Sequence, residues 1–102
     1  MRLKYYSLEK LKKEVLEIIG KKLNLKEYQV FFFGSRVENK GTERSDIDIG
    51  IEGSKPIPVE KFLDIQEEIE NLPTLYKIEV VDFCRVLPKF REVARKQIEI
   101  LQ

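Results

Sequence analysis

The spacing of hydrophobic residues changes several times along the chain, and each change marks a new predicted element. After Ser7, which can cap a helix, apolar residues recur at intervals of three and four, a pattern typical of a helix with one buried face. They are Leu8, Leu11, Val15, Ile18 and Ile19. Gly20 either ends this helix or is tolerated inside it. Residues 28–33 are aromatic and β-branched, and they predict a buried strand.

The second half of the chain continues this alternation of strand and helix. Residues 46–52 alternate strictly and predict a strand whose isoleucines, at 47, 49 and 51, face one side. After a loop at 53–56, Pro58 opens a helix that ends near residues 71–73 and buries Phe62, Ile65, Ile69 and Leu72. Residues 77–86 predict a third strand. Pro88 begins a last helix that carries Phe90, Val93, Ala94, Ile98 and Leu101.

This order of elements predicts an α/β (α+β) fold, in which a small mixed β-sheet is flanked by helices. The length of 102 residues suffices for one hydrophobic core, so we expect a single domain spanning residues 1–102. The 19 Lys and Arg nearly balance the 18 Asp and Glu, so net charge gives no argument for nucleic acid or an anionic membrane. With no long apolar run and a single cysteine, Cys84, we expect a soluble cytoplasmic protein.

Candidate chemistry is concentrated in residues 34–48, where Gly34 and Ser35 are followed, ten residues later, by Asp46-Ile47-Asp48. Asp46 and Asp48 are two positions apart on a predicted strand, so both carboxylates share the face opposite the isoleucines. Neighbouring carboxylates repel each other unless a cation offsets their charge. A pair of Mg²⁺ ions about 3.5–4 Å apart fits such a platform, because hard cations take oxygen ligands.

Asp82 is a third candidate, because it is the one acidic residue in an apolar row of the third predicted strand. Glu79 falls on the other face of that strand, together with Lys77. An aspartate in a hydrophobic row needs a partner, and a metal shared with Asp46 and Asp48 would provide one. The alternative is a structural ion pair between Asp82 and a lysine.

Gly34 and Ser35 follow the first predicted strand, where a phosphate can be bound. Glycine allows close approach of the backbone, and the serine hydroxyl and neighbouring N–H groups can donate hydrogen bonds. A helical turn that begins near Ser35 would add its dipole, and Arg36, Lys40 and Arg44 add positive charge. A Gly-Ser or an Asp-x-Asp alone is usually only a turn. Their conjunction in this order favours a nucleoside triphosphate site.

The motif Gly34-Ser35-x10-Asp46-x-Asp48, followed by Asp82 within residues 80–83, resembles the minimal nucleotidyltransferases of the DNA polymerase β superfamily. The resemblance extends over nearly the whole chain. It implies that Gly34, Ser35 and Arg36 contact the nucleotide, and that Asp46, Asp48 and Asp82 bind the metal ions and form the catalytic set. The family's common form continues with a glycine where this chain has Asn39. Asparagine tolerates left-handed backbone, so we expect Asn39 to replace that glycine.

The resemblance also implies an activity and a partner. It implies a Mg²⁺-dependent transfer of AMP from ATP to a hydroxyl acceptor, with two metal ions. Short members of the family work with a separately encoded all-helical protein of the HEPN or KNTase C-terminal-like type, and as antitoxins they modify a tyrosine of a HEPN toxin. We expect such a partner here, and expect Tyr5, Tyr6 and the last helix to form a contact face.

The sequence alone leaves open two alternative functions, the oligomeric state and the identity of the acceptor. A tRNA-modifying nucleotidyltransferase would use the lysine-rich face of the first helix to bind RNA, although nucleic acid is not favoured as a partner. A non-catalytic module would only mask its helical partner, but masking requires neither the Gly-Ser nor the aspartates. The sequence is compatible with a homo-oligomer, and it does not identify the acceptor.

Overall fold

The computed structural model describes residues 1–102 as three helices and one four-stranded sheet. The helices are α1 (Leu8–Gly20), α2 (Val59–Glu70) and α3 (Pro88–Ala94); the strands are β1 (Tyr28–Phe33), β2 (Ile47–Gly53), β3 (Ile78–Asp82) and β4 (Glu99–Ile100). The strand order is β3-β2-β1-β4. Strand β2 runs antiparallel to β1 and parallel to β3, and β4 runs antiparallel to β1. This mixed sheet confirms the predicted fold class.

The main core lies between one face of the sheet and the apolar stripes of α1 and α2. The hydroxyl of Ser7 accepts the Lys10 N–H at 3.2 Å, which caps α1 as predicted. Ile47, Ile49 and Ile51 are completely buried in this core. Since burying an isoleucine contributes roughly 1.5–3 kcal/mol, this row fixes which way β2 faces and turns the alternate residues of the strand to the other side.

The second face of the sheet carries a small aromatic cluster beside α3. Phe31, Phe33 and Phe83 form this cluster, with the Phe83 ring edge-on to the other two at centroid distances of 4.9 and 5.0 Å. Phe90 of α3 packs against both Phe33 and Phe83. Edge-to-face pairs of this kind add about 0.5–1.5 kcal/mol each beyond buried area. The cluster thus attaches the C-terminal part of the chain to the face of β2 that carries Asp48.

The last helix is shorter than predicted, and the prediction that it includes Ile98 and Leu101 is wrong. The helix ends at Ala94, and the chain continues into β4, which pairs with Phe31 and Phe32 of β1. Ile98 packs on the aromatic cluster and Leu101 in the main core. A strand can send these two side chains to opposite faces of the sheet, whereas a helix would turn residues three apart to the same side.

The third strand is also shorter than residues 77–86, because it ends at Asp82. The Asp82 carboxylate accepts the N–H of Cys84 at 2.9 Å, which closes a turn immediately after the strand. No helix in the structure is both long enough and apolar enough to span a membrane.

Candidate functional site

Three carboxylates lie at one end of the sheet, on the face that carries the aromatic cluster. Asp46 directly precedes β2, and Asp48 is its second residue. Asp48 is in register with Phe33 of β1 on one side and with Glu79 of β3 on the other. Residues in register on neighbouring strands turn their side chains to the same face, so Glu79 stands beside Asp48.

The negative charge at this end of the sheet is not balanced within the protein. The side chains of Asp46 and Asp48 have no hydrogen-bond or ion-pair partner, and Glu79 pairs only with exposed Lys77 at 3.5 Å. Burial, followed by the charges of Glu79 and Asp46, raises the pKa of Asp48 to about 6. A half-buried carboxylate held among like charges is a suitable ligand for a cation.

A metal shared by Asp46, Asp48 and Asp82 would require the three side chains on one face of the sheet, and Asp82 lies on the other face. Asp82 is in register with Ile51, so its side chain points to the core side of the sheet, and the residue as a whole is 5% exposed. Its carboxylate accepts the N–H groups of Ile57 and Cys84 at 2.8 and 2.9 Å and pairs with Arg85 at 3.3 Å. The structure therefore gives Asp82 the alternative, structural role, although with an arginine and two backbone donors rather than a lysine.

Glu79 is the residue that the sequence reasoning set aside. The signal for it was nevertheless present, because an apolar row in a strand faces the helices. An acidic site has to be sought among the residues that alternate with that row. Glu79 alternates with Ile78 and Val80, which are buried, and is itself exposed. The structure thus brings together Asp46, Asp48 and Glu79.

Gly34 joins the turn after β1 to the acidic face directly. Its backbone φ is +85°, a value that residues with a Cβ rarely adopt. A Cβ at this position would also overlap Oδ2 of Asp48. Only glycine therefore allows the backbone of the turn to lie against the Asp48 carboxylate, so the Gly-Ser and Asp-x-Asp parts of the motif form one site.

Residues 34–39 form a helical turn with unused donors at its start. The Gly34 carbonyl accepts the N–H groups of Val37 and Glu38 at 3.1 and 3.2 Å. The N–H groups of Ser35 and Arg36 and the hydroxyl of Ser35 donate to no protein atom. Asn39 has a φ of +58°, which confirms the left-handed backbone expected at this position. The turn therefore presents several free donors beside the carboxylates.

The side chain of Arg36 differs from its predicted role as a nucleotide contact. Arg36 is only 9% exposed, and its guanidinium donates to the carbonyls of Ser45 and Glu43 at 2.8 and 2.7 Å and, more weakly, to that of Arg2 at 3.4 Å. It also lies 4.9 Å from the centre of the Tyr76 ring. The arginine thus ties down the loop that leads into Asp46, and only its backbone N–H is left for a ligand.

The donor chemistry of the site fits a hard divalent cation. Asp46, Asp48 and Glu79 offer only carboxylate oxygens, which Mg²⁺ prefers, and burial together with the two neighbouring negative charges raises the pKa of Asp48. No three acidic, histidine or cysteine side chains converge into a ready ligand shell. The protein thus provides the oxygens and the excess charge, but not a closed cage.

Comparison with known proteins identifies the family. Residues 13–102 match the family described as polymerase beta, nucleotidyltransferase. The chain is 28% identical over 94 residues to the probable protein adenylyltransferase MntA of Haemophilus influenzae, which covers 90% of this chain and 82% of that protein.

Solved structures agree in fold. A toxin–antitoxin complex with AMP-PNP contains a chain with a TM-score of 0.71 and 14% identity, over 89% of this chain and 72% of that one. A Shewanella oneidensis complex of a tri-AMPylated HEPN toxin with an MNT antitoxin gives 0.68 and 12%, over 93% and 72%. Because the family match runs through all four strands and the whole site, this chain belongs to the polymerase β nucleotidyltransferase family.

Proposed function

We propose that this nucleotidyltransferase moves AMP from ATP to a tyrosine hydroxyl of a helical HEPN-type partner, and so acts as the antitoxin of a toxin–antitoxin pair. The observation that carries the proposal is the contact between the turn at Gly34 and the carboxylate of Asp48. This contact brings unused donors together with unbalanced acceptors. A triphosphate with its counter-ions requires both.

Each half of the site has a distinct task in the proposal. The free N–H groups of Ser35 and Arg36 and the Ser35 hydroxyl bind the β- and γ-phosphates, where the start of the turn adds a favourable dipole. Asp46, Asp48 and Glu79 would hold Mg²⁺, as two ions in this fold family. Bound there, the metal supplies neutralisation of the charge that develops on the transferring phosphate and the leaving pyrophosphate.

Glu79 takes the role that the sequence assigned to Asp82. It stands on β3 beside Asp48 and is exposed, so an acceptor hydroxyl can approach its carboxylate from solvent. There it can orient the hydroxyl and take its proton as the new bond to phosphorus forms. In this proposal Asp82 takes no part in the reaction, because its carboxylate already accepts the N–H groups of Ile57 and Cys84 on the core side of the sheet.

The choice of acceptor is supported by the relatives. One relative is named a protein adenylyltransferase, and one structural neighbour is an MNT antitoxin bound to a tri-AMPylated HEPN toxin. This chain exposes apolar side chains that a partner could cover: Leu87, Phe90 and Val93 at α3, and Tyr5 near the N-terminus. Tyr6, in contrast, is tied to Glu14 through its hydroxyl and is only half-exposed.

The structure gives little support to the tRNA-directed alternative. Three of the α1-region lysines that would contact RNA are paired with carboxylates: Lys12 with Glu99 at 3.2 Å, Lys21 with Glu68 at 2.6 Å and Lys22 with Asp64 at 3.4 Å. A surface whose cations are already paired has less charge to offer to phosphates. A purely masking module would not need the unbalanced carboxylates.

Labelled ATP tests the proposal. The chain is incubated with Mg²⁺ and a HEPN-type partner protein, with ³²P at either the α- or the γ-position of ATP. We expect the α-label to become attached to the partner protein and the γ-label to leave in pyrophosphate, both abolished by EDTA. Protein labelled from the γ-position would instead indicate phosphoryl transfer. An α-label found only in added tRNA would support the alternative enzyme.

A further inference from the structure

The outer edge of β3 has no neighbouring strand, and it lies next to the proposed site. In the strand order β3 is terminal, and only β2 pairs with it. The bonds from Ile47 N–H to the Lys77 carbonyl and from Phe83 N–H to the Ile51 carbonyl, both 2.9 Å, show that odd-numbered residues of this segment bond to β2. The N–H and C=O groups of Ile78 and Val80 therefore point outward, where they have no protein partner.

A groove of about 560 Å³ runs along this edge. It is bounded by the end of α2 and by residues 74–81. Glu70 and Glu79 line it against a single cation, Lys77, which is already paired with Glu79. The C-terminal end of α2 borders the groove, and because its last turn carries no basic residue, the negative end of the helix dipole is not offset within the helix. The groove thus favours a positively charged occupant.

The order of the functional groups across the sheet points to what enters this groove. The turn with free donors follows β1, Asp46 and Asp48 belong to β2, and Glu79 is on β3. In an in-line displacement the attacking and leaving oxygens lie on opposite sides of the phosphorus. If pyrophosphate leaves on the side of the turn, the acceptor has to arrive over β3 and its open edge.

We propose that an extended segment of the acceptor protein pairs with the outer edge of β3, with a lysine or arginine near its tyrosine. This inference rests on the proposed function. A residue in register with Glu79 would turn its side chain to the Asp48 face. To bring its hydroxyl to Glu79, this side chain would have to cross one strand spacing of about 4.8 Å. A tyrosine is long enough for this, whereas serine and threonine are shorter.

In this arrangement, AMP transfer forms one bond to the α-phosphorus and breaks another. The phenolic oxygen forms a bond to the α-phosphorus of ATP, and the bond from that phosphorus to the bridging oxygen of the β-phosphate breaks. The electron pair leaves with pyrophosphate, and the phenolic proton passes to the carboxylate of Glu79 and on to solvent. The product is a tyrosine–AMP phosphodiester at the open edge of the sheet.

Amide hydrogen exchange tests the pairing directly. The probe is a ten-residue peptide of alternating Thr and Val with a central Tyr flanked by Lys, added with Mg-ATP; its control has Glu in place of Lys. We expect the lysine peptide to slow exchange of the Ile78 and Val80 amides about tenfold or more. The amides of Glu79 and Val81, which already bond to β2, serve as internal references and should change little.

A pair of variants separates the outward N–H from the side chain. Both Ile78→Pro and Ile78→Ala lose the packing of the isoleucine, but only proline removes the outward donor at the first residue of β3, where proline is tolerated. We expect transfer to the peptide to be about tenfold slower in Ile78→Pro than in Ile78→Ala, with equal affinity for Mg-ATP. Equal transfer rates would overturn the proposal.

Three further outcomes are decisive. Transfer to the peptide without protection of Ile78 and Val80 would overturn the edge proposal and leave the proposed function intact. Protection without transfer would support the edge and contradict the proposed function. Protection that appears without peptide and grows with protein concentration would assign the edge to a second copy of the chain, and would overturn the proposal.

Discussion

Replacing Asp48 by Asn is expected to lower the rate of AMP transfer by about three orders of magnitude. The carboxylate lies between Asp46 and Glu79 and against the backbone of Gly34, so it stands at the centre of the site. Removing a central metal ligand forfeits several kcal/mol of transition-state stabilisation, and each 1.4 kcal/mol corresponds to a factor of ten. The rate is measured by incorporation of AMP into the partner.

The same substitution is expected to stabilise the metal-free protein. The pKa of Asp48 is raised from 3.8 to about 6, so between these values the folded state holds more protons than the unfolded state. Stability contributed at this group is therefore lost as the pH rises through that window. With allowance for solvent screening, Asp48→Asn should raise the free energy of unfolding at pH 7 by about 1–2 kcal/mol and leave it unchanged below pH 4.

A matched control uses an acidic residue away from the site. Asp64 on α2 forms an exposed pair with Lys22 at 3.4 Å, and Asp64→Asn should change neither transfer nor stability by more than a small amount. Chemical denaturation in EDTA at pH 4 and pH 7 gives the stabilities. If Asp48→Asn transferred AMP at the wild-type rate, the assignment of Asp48 to the site would be wrong. If this variant were less stable than the wild type at pH 7, the negative charge around Asp48 would not be unbalanced.

Gly34→Ala is expected to lower the rate of transfer by about two orders of magnitude. The new Cβ would overlap the carboxylate of Asp48, and the φ of +85° strains any residue that has a Cβ. The turn and the carboxylate would therefore both shift, and misplacing reacting groups by about 1 Å can cost a hundredfold. Calorimetry with Mg-ATP should show weaker binding than in the wild type.

The control for Gly34→Ala is a substitution at a glycine outside the site. Gly53 also precedes a serine in the sequence, but a Cβ there would lie 2.7 Å from the ring of Tyr28, so a variant would disturb the fold for a separate reason. Gly20, at the end of α1, meets only the flexible Leu25 side chain at 3.3 Å. Gly20→Ala should leave transfer and Mg-ATP binding unchanged. A similar loss in both variants would mean that the turn at Gly34 has no special role.

Local patterns in the sequence predicted the parts of the structure that depend on neighbouring residues. The alternation of Ile47, Ile49 and Ile51 was sufficient to orient β2 and to place Asp46 and Asp48 on the opposite face, because one buried row determines both sides of a strand. The position of Gly34 after a strand likewise indicated the turn. Both inferences depend only on residues that are close together in the sequence.

The errors share a physical cause, which is dependence on contacts distant in sequence. The apolar row of β3 indicates which face joins Asp48, but it does not indicate what holds Asp82, whose partners include the N–H of Ile57, 25 residues away. β4 forms because β1 has an edge to be paired, and the Gln102 side chain completes it by accepting the Val30 N–H and donating to the Tyr28 carbonyl. A search for helical periodicity in residues 88–101 cannot detect that edge.

The central claim is that Asp46, Asp48 and Glu79 form the reacting carboxylate set and that Asp82 only supports the fold. The most direct test is the rate of AMP transfer by Glu79→Gln and Asp82→Asn, at a temperature where both are folded. We predict that Glu79→Gln loses about two orders of magnitude in rate with unchanged stability. Asp82→Asn should retain the rate while losing roughly 1–3 kcal/mol of stability, since it leaves a buried N–H without its acceptor. Full activity in Glu79→Gln, together with an inactive but folded Asp82→Asn, would contradict the account.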